Sequence, residues 1–99
     1  MSVAPAGQAL ALLDLCAESA AAAGDLDEAV RCLARATELA PDEEERYIAA
    51  ARHLLTQGRR GAARALLQQA RAEVDDLGVR PPPALLELEQ QTRRRMLAV

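Results

Sequence analysis

The sequence predicts an all-α protein in which two helical hairpins stack one after the other and a fifth helix closes the stack. Three observations predict it. Ala and Leu, 23 and 16 of the 99 residues, supply most of the hydrophobic volume, and Tyr47 is the sole aromatic. Both rank high in helix propensity, while the β-branched and aromatic residues that fill strands are scarce. Apolar residues recur at three- and four-residue steps in five stretches separated by Gly, Pro or Asp. The chain also repeats: with Gly24 set over Gly58, Ala17 falls on Ala51, Ala29 on Ala63, Leu33 on Leu67 and Ala36 on Ala70, a constant offset of 34 residues. Small residues at these positions let the two helices of a hairpin approach closely, and the large one packs between them. A chain of this length holds one core.

Residues 1–7, through Pro5 and Gly7, have no periodic apolar face and read as a disordered lead, which leaves 8–97 as the single domain. In the first helix, about 8–23, Leu10, Leu12, Leu13, Leu15 and Cys16 lie among alanines, with Asp14 and Glu18 one turn apart. This pattern fits a helix buried on most sides, ended by Gly24. Asp25 offers a carboxylate to the free N–H groups of the second helix, 25–40, and Glu28 completes a capping-box-like pair. Leu26, Ala29, Val30, Leu33, Ala36 and Leu39 or Ala40 form its stripe before Pro41 stops it. The third helix, 42–57, opens at Asp42 with Glu43, Glu44 and Glu45 near the positive end of its dipole, then presents Tyr47, Ala50, Ala51, Leu54 and Leu55. The fourth, 60–77, buries Ala63, Leu66, Leu67, Ala70, Val74 and Leu77 and ends at Gly78. Prolines 81–83 make a stiff connector, and Pro83 suits the first turn of a fifth helix, 83–97. Leu85, Leu86, Leu88, Thr92 and Met96 form its inner face.

Charge and chemistry narrow the function. Twelve arginines and no lysine against fifteen acids leave a net charge of −3, which supplies no overall field for nucleic acid or anionic lipid. The apolar run of the first helix is interrupted by Asp14 and Glu18, so neither secretion nor membrane spanning is supported, and the cytoplasm is the expected compartment. Cys16 and Cys32 have no Cys or His neighbours at metal-ligand spacing and read as buried, reduced thiols, although they lie on the two helices of one hairpin and could approach. An active site needs a nucleophile, a base and an orienting group within reach, and His53 is the only ordinary base among few hydroxyls and no glycine-rich phosphate loop. The consecutive carboxylates of Glu43, Glu44 and Glu45 fan out around a helix and do not converge. The expectation is therefore a non-catalytic chain with no cofactor, metal or small-molecule substrate. The alternative is direct nucleic-acid binding through Arg59, Arg60, Arg93, Arg94 and Arg95; the absence of stacking aromatics and the acidic total argue against it.

The 34-residue period is that of tetratricopeptide repeats, and GDLDEAVRCLARATELAP resembles such a repeat from its inter-helix turn to its terminal proline without a gap. The second unit departs from that pattern, with Asp75 where the proline would stand. Its continuation through Leu77, Gly78, Val79, Pro81, Pro83, Leu85 and Leu88 resembles the bacterial transcriptional activator domain of actinobacterial antibiotic regulators. That resemblance covers about residues 8–97 and implies dimer formation and contact with other proteins of transcription control. In those regulators a winged-helix DNA-binding domain normally precedes the repeats. In tetratricopeptide arrays the first helix of each hairpin lines a groove, whose outward positions correspond here to Asp14, Glu18 and Ala21, then Glu45, Ile48, Arg52 and Leu55. The resemblance thus implies a protein-binding module with Asp14, Glu18, Glu45, Ile48, Arg52 and Leu55 as partner contacts, unless the fifth helix covers them. Two repeats fall short of the three or so that an array needs, so a homodimer is also expected.

Overall fold

Five helices follow one another: α1 (Pro5–Ala22), α2 (Leu26–Leu39), α3 (Glu44–Thr56), α4 (Arg60–Leu77) and α5 (Pro83–Leu97). The computed structural model describes residues 5–97 and the side chains of 7–93, and among the described residues there is no strand. Each helix packs on the next, and α5 touches α3 as well as α4. Two hairpins, α1–α2 and α3–α4, are therefore joined through α2 and α3, and α5 takes the place where a third hairpin would begin. The result is a slab of 55 × 36 × 17 Å.

The two hairpin turns are chemically the same. At Gly24, φ is +83°, its N–H donates to Ala21 O at 3.0 Å, and the Asp25 N–H donates to Ala20 O at 2.8 Å. At Gly58, φ is +77°, with Leu55 O at 3.0 Å and Leu54 O accepting from Arg59 N–H at 2.8 Å. A left-handed residue reverses the chain and satisfies the last helical carbonyls, and only glycine adopts that φ without a Cβ penalty. Between the turns the helices meet on alanine. Ala29, Ala36, Ala51, Ala63 and Ala70 are fully buried, with Leu33 and Leu67 wedged beside them; with Ala17, all eight Ala and Leu residues matched by the 34-residue offset lie in the interior, while the matched glycines sit at the exposed turns.

Several local expectations are corrected. α1 begins at Pro5 and not near residue 8, because a proline in the first turn needs no N–H partner and has its φ already set; residues 1–4 of the expected lead lie outside the described residues. α1 is also not buried on most sides: among the described residues α2 is the one helix whose backbone packs along it, and Leu12 and Leu15 remain 63% and 60% exposed. The capping box is half formed. Asp25 Oδ1 accepts from Glu28 N–H at 3.2 Å, but the Asp25 N–H is already used by Ala20 O, and the Glu28 carboxylate turns to Arg31 at 2.6 Å. α3 starts at Glu44 without a side-chain cap; its entry is held instead by the buried Tyr47, whose hydroxyl donates to Pro41 O at 3.1 Å. Burial pushes that hydroxyl above its ordinary pKa. Leu77 and Leu86 are exposed, since the first ends its helix beside Gly78 and the second lies away from Leu85 and Leu88 on α5.

Two glycines in and beside α4 should respond to alanine with opposite signs. Gly58→Ala places a Cβ at positive φ and is expected to destabilise by about 1 kcal/mol. Gly61→Ala, in the first turn of α4 with open space around its Cβ, should stabilise by up to about 1 kcal/mol. Urea unfolding of both variants measures the two shifts directly.

Candidate functional site

α1 and α3 make no direct helix-to-helix packing, because α2 lies between them in the chain of contacts. A groove of about 350 Å³ opens where they splay. Its floor is apolar: Ala17 and Ala21 from α1, Leu33 from α2 and Ala49 from α3. Its rim is polar, with the carboxylates of Asp14 and Glu18 on one side and Glu43, Glu45, Arg46 and His53 on the other.

Arg46 spans the groove. Its Nε donates to Asp14 Oδ1 at 2.9 Å and its Nη2 to Asp14 Oδ2 at 2.8 Å, a two-pronged pairing, while Nη1 donates to Glu43 Oε1 at 2.7 Å. The Arg46 side chain is only 14% exposed. The guanidinium hydrogen bond holds the Asp14 carboxyl below its ordinary pKa even though partial burial pushes the other way, and the same bond raises Arg46. This clamp fixes the spacing of α1 and α3, and two carboxylates neutralise its single positive charge. Glu18 and Glu45 are exposed and make no ion pair or hydrogen bond among the described residues. The groove therefore presents small apolar floor positions between two unpaired negative charges.

Of the six residues expected to touch a partner, Asp14, Glu18 and Glu45 line this groove. Ile48 does not: it is buried in the core with Leu85 and Leu88 of α5. Arg52 and Leu55 lie beside Leu88 and Gln91, on the flank that α5 occupies. The fifth helix thus buries Ile48 and half-buries Leu55, while Arg52 stays exposed at its edge, since an open hairpin end exposes apolar side chains that a terminal helix can bury. Arg46, Ala49 and Leu33 were missed. The sequence signal for Arg46 was a base on the first turns of α3 that could face Asp14 on the equivalent helix of the preceding hairpin.

Of the arginines of the nucleic-acid alternative, Arg59, Arg60 and Arg93 do not line this groove. Arg59 lies 3.7 Å from Asp27, and Arg60 begins α4. Arg93 shares a depression with Arg64 and Glu89, so a carboxylate accompanies the bases there. The side chains of Arg94 and Arg95 lie outside those described. Both cysteines are free, but only Cys32 is buried as expected; Cys16 is exposed, because it lies at the edge of the contact between α1 and α2, where α2 leaves its outer side uncovered. Burial, with the neighbouring Glu28 and Cys16, pushes the Cys32 thiol up. Among the described residues no group of three or more His, Cys, Asp or Glu could hold a metal ion, and no helix is long and apolar enough to cross a membrane.

Residues 20–79, from the last turn of α1 to the residue after Gly78, match the family model described as Tetratricopeptide repeat. No curated protein and no solved structure shows significant similarity to the chain.

The Asp14–Arg46 clamp predicts a pH dependence. A carboxyl depressed in the folded state contributes its stability above the ordinary carboxylate range and loses it as the pH falls through the folded value. Asp14→Asn should therefore lower stability at neutral pH by under about 1 kcal/mol, since Asp14 is partly solvated. The difference from wild type should fade as the pH drops below 3.8. Thermal melts between neutral pH and pH 3 follow it.

Proposed function

This chain belongs to the tetratricopeptide repeat family, and from that premise we propose that it is a non-catalytic module that holds a segment of a partner protein in the groove between α1 and α3. Tetratricopeptide repeats generally mediate protein–protein interaction and are typically non-catalytic. The observation that carries the reading is the pairing of an apolar floor, Ala17, Ala21, Leu33 and Ala49, with the unpaired carboxylates of Glu18 and Glu45. Such a groove suits a short segment that seats small apolar side chains on the floor and places Lys or Arg against the rim.

The setting we propose is transcription control in the cytoplasm, with self-association of the chain as a second property. The run from Leu77 to Leu88 supports it. Gly78 caps α4 with φ +70°, and Leu85 and Leu88 bury themselves against α3 and α4. The sequence of this segment is the part that resembles the bacterial transcriptional activator domain.

Immobilised wild-type chain is expected to retain a partner protein from the native cell that the Glu18→Arg/Glu45→Arg double variant loses, both baits having the same far-UV spectrum and melting temperature. Equal retention by both would remove the groove from the account. A retained protein that binds DNA or RNA polymerase supports the regulatory setting. In parallel, titration with duplex DNA at low salt should show no saturable binding; affinity that falls steeply with ionic strength would favour the arginine surfaces instead.

A further inference from the structure

Cys16 and Cys32 stand opposite each other across the first hairpin. Cys16 is eight residues before Gly24 and Cys32 eight after it. The reversal there is tight, with Gly24 at φ +83° and the Asp25 N–H on Ala20 O at 2.8 Å. Residues equally far from Gly24 on the two antiparallel helices therefore lie at equal heights, here about 12 Å from the turn. Cys16 is one turn from Leu13 and from Ala20, and Cys32 is buried with Ala17 and Leu33 in the cluster against which Leu13 packs. The repeat gives an independent check of this register. Thirty-four residues on, the same two positions hold Ala50 and Leu66, and Leu66 packs against the cluster that contains Ala50. Buried Ala17 and Ala29 flank the cysteines and bring the two backbones near, as a disulfide with its Cα atoms within about 7 Å requires. The Cys16 side chain already lies close enough to act on the Cys32 thiol.

We propose that Cys16 and Cys32 are a reversible dithiol–disulfide pair, oxidised by a low-molecular-weight disulfide, and that closure of the bond fixes α1 on α2. The access of the two sulfurs sets the order of events. Cys16 is exposed and meets the oxidant, whereas Cys32 is 6% exposed and is reached through Cys16. The Cys16 thiolate, its proton lost to water, attacks one sulfur of the small disulfide, forms a mixed disulfide and releases a thiolate that takes up a proton. Cys32 Sγ then attacks Cys16 Sγ: the bond between the two cysteines forms, the mixed bond breaks and the second small thiol leaves. The Cys32 proton has an exit, since its Sγ–H donates to Glu28 Oε2 at 3.6 Å and that carboxylate is half exposed. Two cysteine thiols lose two electrons, and one small disulfide becomes two thiols. In a reducing compartment such a bond is transient and reports on the surroundings. Asp14, Ala17 and Glu18 of α1 form one wall of the groove, and Cys16 stands among them, so closure holds that wall in place. The inference does not depend on what the groove binds.

Mass spectrometry of the full chain equilibrated with oxidised glutathione at neutral pH should show a species lighter by two hydrogens, closed to alkylation, with a proteolytic fragment joining 16 to 32. Its melting temperature should lie about 10 °C above that of the reduced chain and fall back on addition of dithiothreitol. In concentrated urea the ratio of this bond to mixed disulfides should drop at least about tenfold, because the folded hairpin supplies the proximity. Cys32→Ala should stop at a stable mixed disulfide on Cys16, and Cys16→Ala should react at least about tenfold more slowly than wild type. A wild type that stops at the mixed disulfide, that cross-links between chains, or whose ratio is unchanged by urea overturns the pairing, whether or not the variants fold. Equal rates in wild type and Cys16→Ala overturn the order of attack. A closed form that melts no higher than the reduced chain overturns the fixing of α1.

Discussion

The close approach of helices at alanine governs this protein. Ala29 and Ala36 in the first hairpin, and Ala51, Ala63 and Ala70 in the second, leave no solvent between neighbouring backbones. With Tyr47 as the only aromatic, the chain has no bulky side chain with which to fill a wider space, so its core closes by nearness. The leucines at 33 and 67 then act as wedges that set the depth of each hairpin, and the left-handed glycines at 24 and 58 set its reversal. Both hairpins are built from these same parts, and a joint between α2 and α3 links the two units.

That joint gives the groove its character. α2 carries the contact between the hairpins, and α1 and α3 are left to be bridged by one side chain, Arg46. A bidentate ion pair there does two things at once: it holds two helices at a distance set by the reach of an arginine, and it removes one positive and one negative charge from the rim. Glu43 takes up a further share of the same guanidinium. The acidic remainder, Glu18 and Glu45, therefore faces solvent across a floor too small-featured to close on itself.

The two ends of the stack solve the problem of an unpaired apolar face differently. At the C-terminal side the polyproline connector brings α5 back onto α3 and α4, where Leu85 and Leu88 are almost wholly buried and Arg71 donates to Glu89 at 2.9 Å. At the N-terminal side nothing of the described chain covers α1. The asymmetry separates two surfaces on one helix: a charged flank turned toward α3 and a neutral flank turned away from the stack.

Local pattern sufficed for the elements. Helix periodicity, the three terminating glycines, Pro83 and the 34-residue offset are properties of neighbouring residues, so the five helices and the alanine contacts were legible to within a few positions. Half of the groove was legible too, at Asp14, Glu18 and Glu45, because the repeat marks which helix faces outward. The remainder depended on contacts between segments far apart in the chain. Ile48 has the right position for a groove residue but lies under α5, and where α5 would land cannot be read from α3. Arg46 looks like one more surface base until Asp14, 32 residues earlier, comes within reach. α1 has the composition of a buried helix, yet burial is a property of what packs against a surface, and among the described residues α2 is the one helix whose backbone does so.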